Sequence, residues 1–122
     1  MFMLMLRESQ GDVALLSGLV ALRYTERGGP CREMCILSVS ADTLEEQIHV
    51  AANTFRNNVK RYQKARQQPA YNDFYLYSED FLRFFSERYA PLCADNDPKG
   101  LNKNHAKNLI FFYAKVASTP PR

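Results

Sequence analysis

The N-terminal third of the chain has short apolar runs separated by turn residues. Residues 2–7 form a compact apolar run, and residues 8–12 are rich in turn formers. Residues 19–26 and 32–40 flank the Gly28-Gly29 pair, which supplies the positive φ angles of a hairpin turn. This pattern predicts an antiparallel β-meander of about three strands over residues 1–41.

A helix competes with the strands over residues 13–23. Asp12 is a candidate N-cap for it, and the apolar positions that follow also fit a period of 3.6 residues. Gly18 in the middle of the segment and the hairpin signal after it favour strands. The helix remains the alternative interpretation.

The clearest periodicity in the chain predicts a long amphipathic helix over residues 43–67. Asp42 as N-cap and Glu45 three residues later have the form of a capping box. Pro69 ends the helix. One apolar stripe follows the spacings of three and four that a helix requires: Leu44, Ile48, Ala51 or Ala52, Phe55, Val59 and Tyr62.

Two shorter helices are predicted in the C-terminal part, over residues 78–89 and 102–117, each ending before a proline. Residues 71–77 between the helices read as a short strand or an extended linker. The predicted fold class is therefore α+β. A single domain of 122 residues has mainly strands in 1–41, a long helix in 42–68, and an aromatic-rich segment with two helices in 69–122.

Composition supports a globular protein, because 46% of the residues are hydrophobic and 24% are charged. The longest apolar run, 13–22, is half as long as a membrane span requires. Residues 1–6 lack the preceding positive charge and the following cleavage site of a secretory signal. Three cysteines, an odd number, suggest reduced thiols. We expect a cytoplasmic protein without a membrane partner.

Positive charge is concentrated in two segments, although the net charge is only +3. Residues 54–67 and 98–122 each carry five cations and no acid. A phosphate-bearing partner is one interpretation, and a solvated helix end favoured by the helix dipole is the other. The candidate anion-binding or nucleic-acid-binding residues are Arg56, Lys60, Arg61, Lys64, Lys99, Lys103 and Lys107.

Eight aromatic residues lie between positions 71 and 89, more than one helical face can bury. Tyr71, Tyr75 and Tyr77 are therefore candidates for a partner-binding surface. The absence of Lys and Arg between residues 71 and 82 favours a protein partner over base stacking.

Metal binding and catalysis have weak support in the sequence. Cys31, Cys35, Cys93 and His105 lack the paired spacing that is usual for structural zinc. A Cys–His pair from Cys31 or Cys93 with His49 or His105 has no recognisable third partner or oxyanion loop. We therefore predict no catalytic residue, metal or cofactor.

The sequence as a whole predicts a small, non-enzymatic protein that binds another protein as an inhibitor, adaptor or accessory subunit. The alternative is a nucleic-acid-binding accessory protein that uses the basic segments 56–66 and 99–115, provided that these form one surface. A homodimer formed through the aromatic residues is a third interpretation.

Overall fold

The computed structural model describes residues 1–26, 34, 36, 43–90 and 101–118. Five α-helices account for most of them, and a single 3₁₀ turn, Leu101–Asn104, leads into the last helix. The helices are α1 (Phe2–Ser9), α2 (Val13–Glu26), α3 (Leu44–Arg66), α4 (Glu79–Tyr89) and α5 (His105–Ser118).

The predicted α+β class is wrong, because the described residues are mostly helical and contain no sheet. Residues 2–7 and 19–26, predicted as strands, lie in α1 and α2. A short apolar run does not by itself distinguish a strand from a buried helix. The glycine pair of the predicted hairpin and most of its second arm lie outside the described residues.

The alternative interpretation of residues 13–23 is the correct one. The chain leaves α1 through Gln10 and Gly11, both at positive φ. It enters α2 at Asp12, whose carboxylate Oδ1 accepts a hydrogen bond from the Leu15 N–H at 3.1 Å. This is the N-cap bond that the sequence allowed for.

Gly18 favoured a strand in the sequence prediction, but it is present in helix α2 because of a tertiary contact. It lies in the buried face of α2, where a Cβ atom would be 3.1 Å from the Phe55 ring and 3.1 Å from the Tyr77 ring. Glycine is therefore required in this helix by the close approach of two aromatic side chains.

The long helix is confirmed as α3, with a cap one residue later than predicted. The Thr43 hydroxyl accepts a hydrogen bond from the Glu46 N–H at 3.1 Å, and both belong to a Thr-x-x-Glu sequence. Asp42, the predicted cap, lies outside the described residues. The predicted stripe does face the core, where Ile48, Phe55 and Tyr62 are buried.

The two C-terminal helices are also confirmed. Ser78 caps α4, because its hydroxyl accepts a hydrogen bond from the Phe81 N–H at 3.1 Å. Phe81 and Phe85 of α4 and Leu109 of α5 are buried. The aromatic rings of α4 thus account for part of the aromatic excess in the sequence.

Helices α2, α3, α4 and α5 form a four-membered ring around the core. Helix α2 packs against α3 and α5, and α4 also packs against α3 and α5. Within the described residues, α3 and α5 do not touch each other, so they are diagonal in the ring. Helix α1 packs outside the ring against α2 and α3.

Aromatic side chains fill the space between the four helices. Phe55 of α3 stacks on Phe85 of α4, with ring centroids 4.0 Å apart. Tyr77 stacks on Phe55 at 5.5 Å and on Tyr113 of α5 at 5.9 Å. Three helices and the segment before α4 are therefore joined by ring contacts.

Met34 and Ile36 belong to the predicted second strand of the hairpin. The side chain of Gln47 forms hydrogen bonds with their backbone. The Oε1 atom of Gln47 accepts hydrogen bonds from the N–H groups of Met34 and Ile36, both at 3.2 Å. Its Nε2 atom donates to the Ile36 carbonyl at 2.8 Å. The buried amide of Gln47 thus provides bonds that a neighbouring strand would otherwise supply.

Two buried tyrosines make the fold sensitive to alkali. Burial raises the pKa of the Tyr77 and Tyr113 phenols above the ordinary value of 10.0. Above that pH the unfolded chain loses protons that the folded chain keeps, so stability present in full below pH 10.0 is lost as the pH rises. For each tyrosine the slope approaches about 1.4 kcal/mol per pH unit once the pH is well above 10.0.

Urea unfolding at pH values from about 8 to 11 measures this loss. Tyr113→Phe removes one of these groups and should make the loss of stability with pH less steep. A free energy of unfolding that stays constant over this range would contradict the prediction.

Candidate interaction surfaces

Residues 71–77 form a tight loop, here called the aromatic loop, whose ends are joined by a β-bridge between Tyr71 and Tyr77. The Ser78 N–H donates to the Ala70 carbonyl at 2.9 Å, and the Asn72 N–H donates to the Leu76 carbonyl at 2.7 Å. These backbone bonds give the loop a defined shape.

The Asn72 side chain organises the tip of the aromatic loop. Its Oδ1 atom accepts hydrogen bonds from the N–H groups of Phe74 at 2.9 Å and Leu76 at 3.2 Å. The Asn72 carbonyl also accepts from the Tyr75 N–H at 3.0 Å. An Asx-type turn of this kind fixes the backbone from inside the loop.

Phe74 and Tyr75 project from the tip into solvent. Their side chains are 81% and 83% exposed. The φ angle of Tyr75 is 60°, a left-handed conformation that is unfavourable for a residue with a large side chain. The hydrogen bonds around Asn72 maintain this strained backbone, and strain of this kind concentrates at functional sites.

An open cleft of about 540 Å³ lies beside the exposed rings. Phe74, Tyr75 and Tyr71 line one side of it, and Gly11 and Val13, at the start of α2, line the other. Val13 is exposed as well, so its apolar side chain extends the surface formed by the rings.

The structure separates the three tyrosines that the sequence singled out. Tyr75 is exposed, whereas Tyr77 is only 3% exposed and belongs to the aromatic core. Tyr71 is half-buried, and its hydroxyl donates to the Asp12 carboxylate at 3.4 Å. Burial and the nearby carboxylate of Asp12 raise the pKa of Tyr71.

Tyr77 therefore anchors the aromatic loop in the core, whereas Tyr71 both bonds to Asp12 and lines the cleft. The Tyr77 N–H donates to the Tyr113 hydroxyl at 2.9 Å, and that hydroxyl donates to the Ala14 carbonyl at 3.2 Å. Sequence analysis missed Phe74 because alternation cannot be judged in a seven-residue loop without a sheet.

The described residues of the predicted basic set lie in two separate groups. Lys60, Arg61 and Lys64 are exposed on α3, whereas Lys103 is exposed in the 3₁₀ turn before α5 and Lys107 in α5 itself. These helices are diagonal in the ring, so their solvent-facing sides point in different directions. Lys99, the remaining lysine of the predicted set, lies outside the described residues.

Arg56, another residue of the predicted basic set, links two helices. Its guanidinium donates to the Glu8 carbonyl of α1 and to Asn53 Oδ1, the latter at 3.0 Å. It also lies 3.9 Å from the Glu8 carboxylate. Arg56 thus attaches α1 to α3 and is less available to a partner than its neighbours.

His105, Ser86 and Glu26 form a buried polar network between three helices. His105 Nδ1 lies 2.5 Å from Ser86 Oγ, and His105 Nε2 lies 2.7 Å from Glu26 Oε1. The order serine–histidine–carboxylate resembles that of hydrolases. Ser86, however, is 1% exposed and lies within the regular helix α4, so its hydroxyl has no approach for a substrate.

The other candidates for metal binding or catalysis receive no support from the described part of the chain. No three His, Cys, Asp or Glu side chains gather there as a metal site would require. All three cysteines lie outside the described ranges. His49 is half-exposed and pairs with Glu8, with 2.8 Å between Nδ1 and Oε1.

Comparison with known proteins gives no family for this chain: no family model, no curated protein and no solved structure matches it. None of the described helices is long and apolar enough to cross a membrane. The proposals that follow therefore depend on the geometry of the two kinds of surface, aromatic and basic.

Proposed function

We propose that this protein is a non-enzymatic binding protein that recognises another protein through the aromatic loop. One observation carries the proposal: Phe74 and Tyr75 are almost fully exposed, side by side, on a loop held by its own hydrogen bonds. An inhibitor, an adaptor and an accessory subunit all act in this way.

Exposed aromatic rings favour binding because burying each one is worth about 1.5–3 kcal/mol. Aromatic side chains are also enriched among the residues that dominate protein interfaces. The adjoining cleft, with Val13 on its opposite side, offers space for a side chain of the partner.

The fixed backbone of the loop supports the same proposal. A loop that already has its bound shape loses little conformational entropy when it binds. The strained φ angle of Tyr75 is understandable on this basis, since it positions a ring for a partner at a cost to the stability of the free protein.

A substitution at Tyr75 separates binding from stability. Asparagine tolerates the left-handed conformation, so Tyr75→Asn should raise the free energy of unfolding by about 1 kcal/mol. The same change should weaken partner binding about 30-fold or more, because it removes an interface aromatic. Urea unfolding and titration with the purified partner measure the two effects.

Affinity enrichment from cells that produce the protein supplies the partner for this titration. The bait proteins are the native chain, Tyr75→Asn, Phe74→Ser and a triple variant with alanine at Lys60, Arg61 and Lys64. A partner should be retained by the native chain and by the triple variant, and lost from both loop variants. A partner that both loop variants retain would contradict the proposal.

The alternative function, nucleic-acid binding, is still supported by the exposed cations of α3. Fluorescence anisotropy with mixed-sequence nucleic acid at about 50 and 200 mM salt tests it. Binding that weakens steeply with salt, and that the triple α3 variant abolishes, would replace the protein-binding proposal. We expect no such binding, since the basic residues are divided between diagonal helices.

A further inference from the structure

A second apolar surface lies on α1, α2 and α5, outside the aromatic loop. Two open clefts of about 480 and 430 Å³ adjoin there, and Tyr24 of α2 lines both. Phe2 of α1 lines the first cleft, and Phe111 of α5 lines the second. We call this area the Tyr24 surface, and it consists of Phe2, Val20, Arg23, Tyr24, Phe111 and Lys115.

Three aromatic side chains of this surface are largely exposed to solvent. Phe2, Tyr24 and Phe111 are all more than half exposed, and Tyr24 reaches 56%. Contiguous apolar areas of this kind mark interaction sites on soluble proteins. Rings on three different helices form it, so the folded core does not explain it.

Helix α2 gives independent support. Its sequence, VALLSGLVALRYTE, is apolar around almost the whole circumference, and Arg23 and Glu26 are its only charged residues. A helix with this composition is normally buried on all sides. In the described structure α2 is covered by α1, α3 and α5, whereas Tyr24 on its outer side is exposed.

The charges at the Tyr24 surface indicate which partner fits. Among the described residues, the charged groups that line the two clefts are the cations Arg23 and Lys115. Glu26, the nearest acid along α2, is 14% exposed and bound to His105. A second copy of the chain would bring like charges together across this surface, which disfavours a homodimer.

We propose that the Tyr24 surface binds an acidic amphipathic helix of another protein. Apolar side chains at positions i and i+4 or i+7 would enter the clefts on the two sides of Tyr24. A carboxylate beside them would meet Arg23. This partner differs from the one that the aromatic loop recognises, and the protein would then hold two partners at separate surfaces.

A displayed library of peptides about 16 residues long, four to five helical turns, tests the proposal. Selection on the native protein should enrich acidic sequences with apolar residues at helical spacing. An enriched peptide should bind Tyr24→Ser about tenfold more weakly or worse, and Phe74→Ser unchanged. No enrichment, or enrichment of peptides insensitive to Tyr24→Ser, would overturn it.

Tyr24 also stacks on Phe112, with ring centroids 5.7 Å apart, so Tyr24→Ser can reduce binding by destabilising the fold. A charge-reversal variant tests the surface without removing this contact. Arg23→Glu should weaken the acidic peptide about tenfold and strengthen a version of the peptide with lysines in place of its acids. Lys60→Glu on α3 is the matched control and should change neither affinity. Equal effects of Arg23→Glu and Lys60→Glu would contradict a specific site.

Two separate measurements test the alternative occupants of the surface, a second copy of the chain and a lipid membrane. Light scattering should show a monomer, and a dimer that Tyr24→Ser dissociates would assign the surface to a second copy. Sedimentation with phosphatidylcholine vesicles, with and without phosphatidylserine, should show no binding. Binding to the anionic vesicles that Tyr24→Ser abolishes would assign the surface to a lipid membrane and overturn the proposal.

Discussion

The Gly18→Val substitution should destabilise the bundle by about 3 kcal/mol or more, at the upper end of the range for overpacked cores. A single Cβ at this position already lies 3.1 Å from both the Phe55 and Tyr77 rings. Valine adds two further methyl groups in the same space, and the Phe55 ring is already packed against Phe85, with ring centroids 4.0 Å apart. Urea unfolding followed by circular dichroism measures the loss.

Ala114→Val is the matched control for this substitution. Ala114 is exposed on α5, so the change tests helix propensity without a core contact. Its cost should be about 0.5 kcal/mol. If the two variants lose equal stability, the close approach of the rings to Gly18 is not what requires glycine.

The His105→Ala substitution should cost about 2–4 kcal/mol, because it removes two hydrogen bonds from a buried network and leaves a cavity. The imidazole bridges Ser86 Oγ on α4 and the Glu26 carboxylate on α2, so the contact between three helices is affected. Thermal unfolding and urea unfolding both measure the effect.

His49→Ala provides the control, since His49 also pairs with a glutamate but in solvent. Its Nδ1 lies 2.8 Å from Glu8 Oε1, and its side chain is 56% exposed, against 8% for His105. An exposed pair of this kind contributes little, so the cost should stay within about 1 kcal/mol. A similar loss in both variants would show that burial does not decide the difference.

The two proposed surfaces lie toward opposite ends of α2. The aromatic loop lies beside the start of α2, and the Tyr24 surface lies near its end. Tyr24 comes eleven positions after Val13 along the helix, a rise of about 16 Å. The two proposals together therefore predict that a variant at one surface leaves binding at the other unchanged.

Helices α3, α4 and α5 were predictable from local signals. Each has a regular apolar stripe, and caps such as Ser78 and stops such as Pro69 occur where helix boundaries require them. These signals act within a few residues of the chain, so they are readable without knowledge of the fold.

The first two helices were not predictable in this way. Helix α2 is apolar on nearly all sides, which erases the periodicity that identifies a surface helix. Its glycine is explained only by Phe55 and Tyr77, which are distant in sequence. Helix α1 has a run of apolar residues too short to separate a helix from a strand.

The sequence by itself determined the aromatic excess between residues 71 and 89, the two basic segments, and helices α3, α4 and α5. Composition and periodicity are properties of the chain alone. Tertiary structure decided which aromatic rings are exposed. Tyr77 fills the core and Phe74 and Tyr75 face solvent, since the Asn72 side chain and the Tyr113 hydroxyl accept backbone hydrogen bonds that set the direction of the loop. It also placed the basic segments on diagonal helices, because packing fixes the neighbours of each helix.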